Sequence, residues 1–199
     1  MRIGLDIDGV IYKWDKTARY MLREVLPGSP YNVPWLKEWD QDPTWDLHQE
    51  STRWDCIKEN IHPEHWKWLW TEGVRLGLFR YGHLYPGSIQ AVRELATIGE
   101  VVLITHRPKQ AVEDTLAWLS YQNLPIMGVH LLTNEENKGL VRPGVDVFLD
   151  DKPQNILDMR AGNPKTFTYL MRRPWNEGVA VPGDEVRSWS EFIAKVRSL

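Results

Sequence analysis

The stretch LDIDGV, residues 5–10, places two aspartates, Asp6 and Asp8, at the end of a short apolar run. The run at residues 3–5 has the length and β-branched content of a buried strand. Side chains alternate between the two faces of an extended segment, so Asp6 and Asp8 are expected to point the same way. Two carboxylates on one face repel each other unless a cation lies between them. The stretch therefore predicts a buried strand that ends at a charged site.

Four further apolar runs of strand length occur later in the chain, at residues 101–104, 129–132, 145–149 and 166–170. Helical patterns lie among these runs, at residues 88–98, 109–121 and 154–159. Strands that alternate with helices indicate an α/β fold, here a Rossmann-like and mostly parallel sheet with helices on both faces. In such a sheet, functional groups gather at the carboxyl ends of the strands.

Residues 16–83 interrupt this alternation directly after the first strand. Seven of the chain's 11 tryptophans lie between residues 35 and 70 of this segment. We interpret residues 16–83 as a small helical cap, inserted into a core that comprises residues 1–15 and 84–199. Most of the rings are expected to bury the cap itself, and one or two to stack on a flat group of a substrate. Trp45 is the preferred substrate contact.

The composition limits the classes of protein to which the chain can belong. Hydrophobic residues make up 42% and charged residues 26%, as in a globular protein with a sizeable core. The net charge of -3 gives no broad attraction to nucleic acid or to an anionic membrane, so long nucleic acid is not an expected partner. The single cysteine, Cys56, fits a reducing compartment, and no apolar stretch reaches membrane-spanning length. We therefore expect a cytoplasmic protein without a membrane partner.

Polar and charged residues follow two more of the predicted strands. These residues are Thr105, His106 and Arg107 after the strand at 101–104, and Asp150 and Asp151 after the strand at 145–149. Lys138 lies in the loop before the latter strand. The carboxylates offer only oxygen ligands, which suit Mg²⁺. The sequence therefore predicts one crevice that contains several acids, a hydroxyl group and at least one cation.

This set of residues resembles the haloacid dehalogenase (HAD)-type phosphohydrolases. Their pattern of DxD, Ser or Thr, a lysine and a paired acid is matched by Asp6, Asp8, Thr105, Lys138, Asp150 and Asp151. The resemblance narrows toward the 5′(3′)-deoxyribonucleotidases through six stretches in that family's order: LDIDGV, LYPGSIQAVREL, VVLITHRP, LLTNEENKGLV, VFLDDKP and RSWSEF. It covers residues 1–15 and 84–192 and implies a HAD-like fold.

The resemblance implies a Mg²⁺-dependent phosphomonoester hydrolase that removes phosphate from (deoxy)ribonucleoside monophosphates, which are small-molecule nucleotides. Asp6 would be the nucleophile and form an aspartyl-phosphate, while Asp8 would act as general acid and then as general base. Mg²⁺ would be held by Asp6, Asp151 and the backbone carbonyl of Asp8. Asp150 would orient the surroundings of the metal rather than bind it directly.

Four further residues are assigned to the substrate: Thr105 and Lys138 to the phosphoryl oxygens, and His106 and Arg107 as additional substrate contacts. The chain departs from the family at this point. It has HRP at residues 106–108 where the nucleotidases usually have Ser-Pro, and it lacks their lysine in the following helix, near residues 113–115. Lys138 is therefore the expected phosphate lysine, with Lys109 in reserve.

Other functions stay open at this point. A phosphohydrolase that acts on another small phosphate ester, or on a polynucleotide 3′-phosphate, would share every catalytic residue. A non-catalytic nucleotide-binding module is also possible, although a pure binder has no use for the acid/base residue Asp8. The sequence also leaves open whether the chain forms a homodimer, and whether Arg172 and Arg173 lie in solvent or stabilise a loop over the site.

Overall fold

The computed structural model describes residues 1–30, 61–133 and 135–199. Six strands lie at its centre: β1 (Arg2–Leu5), β2 (Glu100–His106), β3 (Gly128–Leu132), β4 (Val147–Asp150), β5 (Phe167–Met171) and β6 (Asp184–Val186). They form one sheet in the order β3-β2-β1-β4-β5-β6, and every neighbouring pair is parallel. β1 therefore lies between β2 and β4, with all carboxyl ends at one edge.

Helices connect most of the strands, as parallel pairing requires. The described residues form α1 (Trp14–Tyr20), α2 (Pro63–Trp68), α3 (Ser88–Leu95), α4 (Val112–Gln122), α5 (Pro153–Gly162) and α6 (Trp189–Arg197). α1 and α2 each continue into a π-helical turn, at Met21–Val25 and Leu69–Gly73. No helix in the described parts of the chain is long and apolar enough to cross a lipid bilayer.

The structure confirms the predicted α/β fold. Each of the five predicted strands and each of the three predicted helices is present, with ends that differ by a few residues. β6 is an additional strand that the sequence did not indicate. Its sequence is Asp-Glu-Val, which contains no apolar run, and only Val186 is buried. Its place in the sheet depends on pairing with β5.

The close packing of β1 against its neighbours explains why the first strand is central. Ile3 and Leu5 are fully buried. A Cβ atom on Gly4 would lie 3.1 Å from both the Ile104 and the Phe148 side chains, so these two neighbours pack directly on the backbone of β1. Burial on both faces is what an apolar strand of a parallel sheet requires.

A tight loop follows β1 and presents the two aspartates at the edge of the sheet. The carbonyl of Ile7 accepts hydrogen bonds from the amides of Ile11 and Tyr12, both at 2.8 Å. Gly9 has a φ of 89°, in the left-handed region that favours glycine. Its amide donates to the carbonyl of Tyr12 at 2.9 Å. The turn therefore requires the glycine that follows Asp8, independently of any chemistry at Asp8.

The described part of residues 16–83 is helical, and two of its tryptophans pack around Trp14 at the start of α1. The Trp14 and Trp70 rings are stacked with centroids 5.8 Å apart, and Trp66 meets both rings edge-on. These rings therefore serve the packing role that was predicted for most of the group. Trp45 lies outside the described residues, so its contact with a substrate stays a prediction, as does the division into core and cap.

Candidate active site

The carboxyl ends of β1 and β4 bring three predicted acids together. Asp6, Asp150 and Asp151 each offer a carboxylate oxygen, and these oxygens lie within 4.8 Å of one another. The pairing of β1 with β4 continues past Leu5, because the amide of Asp6 donates to the carbonyl of Leu149 at 2.9 Å. All three acids are buried. The sheet register thus fixes the cluster, even though 144 residues separate Asp6 from Asp150.

Lys138 reaches this cluster from a loop. It begins the short 3₁₀ turn Lys138–Leu140, and its Nζ donates to Asp6 Oδ1 and Asp150 Oδ2, both at 2.8 Å. The turn is pressed against α5, since a Cβ on Gly139 would lie 2.1 Å from the carbonyl of Asp158. Burial alone would lower the pKa of Lys138, but the neighbouring Asp150 and Asp6 carboxylates outweigh it and raise the pKa. The ammonium therefore stays charged.

Asp150 is held from several directions. Besides Lys138, the amide of Lys152 donates to Oδ1 at 2.8 Å, and the Asn155 side chain donates to both oxygens. Burial raises the pKa of Asp150 to about 7, and the Asp6 charge acts in the same direction, while Lys138 opposes the rise. These donors hold the carboxylate in one orientation.

Asp151 has different partners, which the sequence analysis missed. The indole Nε1 of Trp175 donates to Asp151 Oδ2 at 2.8 Å. The side-chain amide of Asn176 donates to the backbone carbonyls of Asp151, at 2.6 Å, and of Met171, at 2.9 Å. Both residues lie in the 3₁₀ turn Pro174–Asn176, just after β5. The only signal available in the sequence was their position after a predicted strand end.

The donor set fits a magnesium ion. Asp6, Asp150 and Asp151 bring hard carboxylate oxygens together at one point, and oxygen is the donor atom that this cation prefers. The Lys138 ammonium supplies one positive charge against three carboxylates. The remaining negative charge suits a divalent cation, because buried carboxylates this close would otherwise repel one another.

Asp8 lies in a separate ion pair with Arg107. Arg107 Nε donates to Asp8 Oδ2 and Nη2 to Oδ1, both at 2.9 Å, and both residues are buried. Arg107 Nη1 also donates to Thr115 Oγ1 at 3.0 Å. The sequence analysis grouped Arg107 with the substrate contacts, whereas in the structure its partners are Asp8 and Thr115.

Thr105 and His106 end β2 beside the acids. Thr105 is fully buried, and its Oγ1 has no hydrogen-bond partner among the described residues. His106 is partly buried, and its Nε2 lies 2.8 Å from the carbonyl of Glu136, so the ring donates there. Burial, followed by the nearby Lys138 charge, lowers the pKa of His106. Lys109, the reserve cation, is exposed in the turn Lys109–Ala111.

Two arginines after β5 stabilise the loops around the site. Arg173 Nε donates to the carbonyl of Gly9 at 2.8 Å, and its guanidinium lies 3.8 Å from the centre of the Tyr85 ring. Arg172 is buried, pairs with Glu185 and donates to the carbonyl of Val179 at 2.9 Å. Of the two alternatives for these arginines, the structure therefore favours the loop role.

Comparison with known proteins shows the family of this chain. A family model described as 5′ nucleotidase, deoxy (Pyrimidine), cytosolic type C protein matches residues 29–198. The chain belongs to this nucleotidase family. A candidate nucleotidase of Oceanobacillus iheyensis is 30% identical over 176 residues, which are 86% of this chain and 85% of that protein. The predicted class, a phosphomonoester hydrolase, is therefore confirmed.

Further similarities support the nucleotidase family and the fold. A candidate 5′(3′)-deoxyribonucleotidase of Chlorobaculum tepidum is 23% identical over 207 residues, which cover 98% of this chain and 90% of that protein. Among solved structures, the candidate HAD hydrolase YfnB of Bacillus subtilis, bound to magnesium, has a TM-score of 0.64 at 13% identity, and covers 98% of this chain and 97% of its own. At that identity the likeness concerns the fold alone, and it confirms the predicted HAD-like architecture of this nucleotidase.

Proposed function

We propose that this nucleotidase is a Mg²⁺-dependent enzyme that removes phosphate from (deoxy)ribonucleoside 5′-monophosphates through an aspartyl-phosphate on Asp6. The observation that carries the proposal is the buried cluster in which Lys138 joins Asp6 to Asp150, with Asp151 alongside. A carboxylate nucleophile, a cation for the phosphate and a set of metal-binding oxygens are the parts that such a reaction needs. The family model's description includes the word cytosolic, and we propose the same compartment for this chain.

Asp6 and Asp151 are the side chains that would hold the metal, together with the backbone carbonyl of Asp8. When bound, Mg²⁺ supplies positive charge that stabilises the transferring phosphoryl group. Asp150 is already engaged by Lys138, Lys152 and Asn155, so its part is to fix the arrangement around the metal.

Asp6 begins the reaction. Among the described residues Asp6 Oδ2 accepts no hydrogen bond, while Oδ1 is fixed by Lys138. The free oxygen would attack phosphorus, and the bond from phosphorus to the nucleotide's 5′ oxygen would break. Asp8 would give a proton to that leaving oxygen and, in the second half, take a proton from water. Splitting the displacement in this way replaces one difficult step with two easier ones.

Thr105 and Lys138 would bind the phosphoryl oxygens. Thr105 Oγ1 is a buried hydroxyl at a strand end whose hydrogen-bonding capacity is unused within the described part of the chain. Such a group costs free energy unless something binds it. A phosphoryl oxygen beside Asp6 would satisfy it, and the Lys138 ammonium would balance the charge that develops in the transition state.

A phosphate-release screen tests the proposal. The substrates are ribo- and deoxyribonucleoside 5′-monophosphates, nucleoside 3′-phosphates, di- and triphosphates, sugar phosphates and p-nitrophenyl phosphate, each with Mg²⁺ and with EDTA. We expect the 5′-monophosphates to give the highest kcat/KM, EDTA to stop turnover reversibly, and Asp6→Asn to release no phosphate. A preference for sugar phosphates or 3′-phosphates would reassign the substrate, while full activity of purified Asp6→Asn would exclude the covalent mechanism.

A further inference from the structure

Arg107 makes a two-point contact with the proposed acid/base residue. Its Nε and Nη2 each donate to a different oxygen of the Asp8 carboxylate, both at 2.9 Å. A fork of this kind fixes the orientation of a carboxylate as well as its position. A lysine could supply the charge at this position but not the planar pair of donors.

Aromatic rings and a hydroxyl group enclose the Arg107 guanidinium. Its carbon lies 4.9 Å from the centre of the Tyr12 ring, 4.8 Å from Phe79 and 5.6 Å from Trp118. The side chain is 0% exposed. A substrate phosphate would therefore have to displace Asp8 in order to bind Arg107, so the geometry argues against a direct phosphate contact.

Thr115 binds the remaining nitrogen of the Arg107 guanidinium. It accepts from Arg107 Nη1 at 3.0 Å and donates to the carbonyl of Ala111 at 2.7 Å, so its hydroxyl is committed in both directions. It lies in the first turns of α4 and holds the third nitrogen of the guanidinium, while the other two nitrogens face Asp8.

We propose that Arg107 is a positioning residue that holds the Asp8 carboxylate in the orientation of the base for the second half of the reaction. The inference rests on the proposed function. The fork holds the carboxylate in one direction, and proton transfer from the attacking water requires a carboxylate placed within hydrogen-bond reach of it. Hydrolysis of the aspartyl-phosphate should therefore depend on Arg107, whereas formation should depend on it only where the leaving group needs a proton.

The step that Arg107 assists is a simple displacement. The water oxygen forms a bond to phosphorus, and the bond between phosphorus and the Asp6 oxygen breaks, with its electron pair returning to Asp6. The proton lost by the water passes to Asp8. The products are inorganic phosphate, the free Asp6 carboxylate and protonated Asp8, which is the form needed for the next leaving group.

Rapid-mixing kinetics of Arg107→Met with p-nitrophenyl phosphate test the inference. Nitrophenolate leaves without a proton, so formation of the aspartyl-phosphate does not depend on Asp8 as an acid. We expect a burst that approaches one nitrophenolate per active site, followed by turnover slowed about 10²-fold or more, the scale of general-base catalysis. Acid-quenched enzyme should then carry phosphate on Asp6, as measured by intact mass.

Milder variants keep the test valid if Arg107→Met does not fold. Arg107→Lys retains the charge but not the fork and should slow hydrolysis less than Arg107→Met does. Thr115→Val removes one acceptor without uncovering a charge and should slow the same step by a smaller factor. The matched control is Arg19→Met, which breaks a different, largely buried arginine–aspartate pair (2.8 Å to Asp15) and should give no accumulation.

Two results would overturn the inference. One is an equal slowing of both half-reactions in Arg107→Met and Arg107→Lys without phosphoenzyme. The other is a KM that rises at least about 10-fold while phosphoenzyme hydrolysis is unchanged, which would make Arg107 a phosphate ligand after all. Failure of the proposed function gives a different result from both: the wild-type enzyme would hydrolyse no phosphomonoester, or the Asp6→Asn variant would retain activity.

Discussion

Lys138 Nζ lies 2.8 Å from Asp6 Oδ1, although 132 residues of sequence separate the two side chains. The same ammonium lies 2.8 Å from Asp150 Oδ2. It therefore links the carboxyl ends of β1 and β4 and balances part of the negative charge that gathers there. An anionic substrate can approach an anionic nucleophile only if such charge is provided, so the structural role of this lysine coincides with the catalytic role that we propose for it.

Lys138→Met should lower kcat/KM on the best nucleotide by about 10²–10³-fold, the scale seen when one transition-state donor is lost. The variant should also melt at a lower temperature, because Asp6 and Asp150 are left buried without their cation. Lys109→Met is the matched control: it removes an exposed lysine from the neighbouring turn and should change kcat/KM far less. Steady-state kinetics and thermal melting measure both effects, and a larger loss in Lys109→Met would move the phosphate cation to that turn.

The two adjacent acids after β4 should differ in their effect on the metal. Asp151→Asn should raise the Mg²⁺ concentration needed for half-maximal activity more than Asp150→Asn does. The reason is that Asp150 is occupied by protein donors, whereas Asp151 is proposed to bind the ion directly. Titration calorimetry with Mg²⁺ alone measures the same order without substrate. Equal Mg²⁺ requirements for the two variants would contradict the assignment.

Trp175→Phe should weaken Mg²⁺ binding by about 10-fold or more, the scale reported for groups that orient a metal ligand. It removes the indole N–H that donates to Asp151 Oδ2 at 2.8 Å, while keeping an aromatic ring in the buried position. Trp189→Phe is the control, because Trp189 is also buried but its Nε1 has no hydrogen-bond partner among the described residues. If both variants bind Mg²⁺ equally well, the Trp175 bond has no part in holding Asp151.

The fold was predictable because it depends on local patterns. Apolar runs at strand length, separated by helical spacings, indicated five strands of a parallel sheet, and the ends of adjacent strands had to meet. β6 lacked that signal, since Asp184 and Glu185 are exposed and only Val186 is buried. Its position follows from tertiary pairing with β5, which no local pattern carries.

The candidate site likewise contains residues that local patterns predict and contacts that depend on tertiary packing. Strand ends bring Asp6, Asp150 and Asp151 together by topology alone, and the structure also brings Lys138 to them, as expected. The partner of Arg107 could not be foreseen, because the direction of its side chain depends on packing with rings that come from separate parts of the chain. Trp175 was missed for a similar reason, since no sequence pattern predicts a hydrogen bond from an indole to Asp151.

Acid sensitivity of the folded state should decrease in His106→Gln. Burial and the Lys138 charge lower the pKa of His106 below its ordinary value of 6.5, so the unfolded chain binds a proton at this residue more readily than the folded chain. Stability therefore falls as pH drops below the unfolded pKa, and His106 contributes to that loss. Glutamine can still donate to the carbonyl of Glu136 but cannot titrate.

Thermal melting at about pH 7.5 and about pH 5.5 should show a larger drop in Tm for the wild type than for His106→Gln. The other histidines are common to both proteins and cancel in this comparison, so an equal drop would mean that His106 is protonated as easily in the folded state as in the unfolded one.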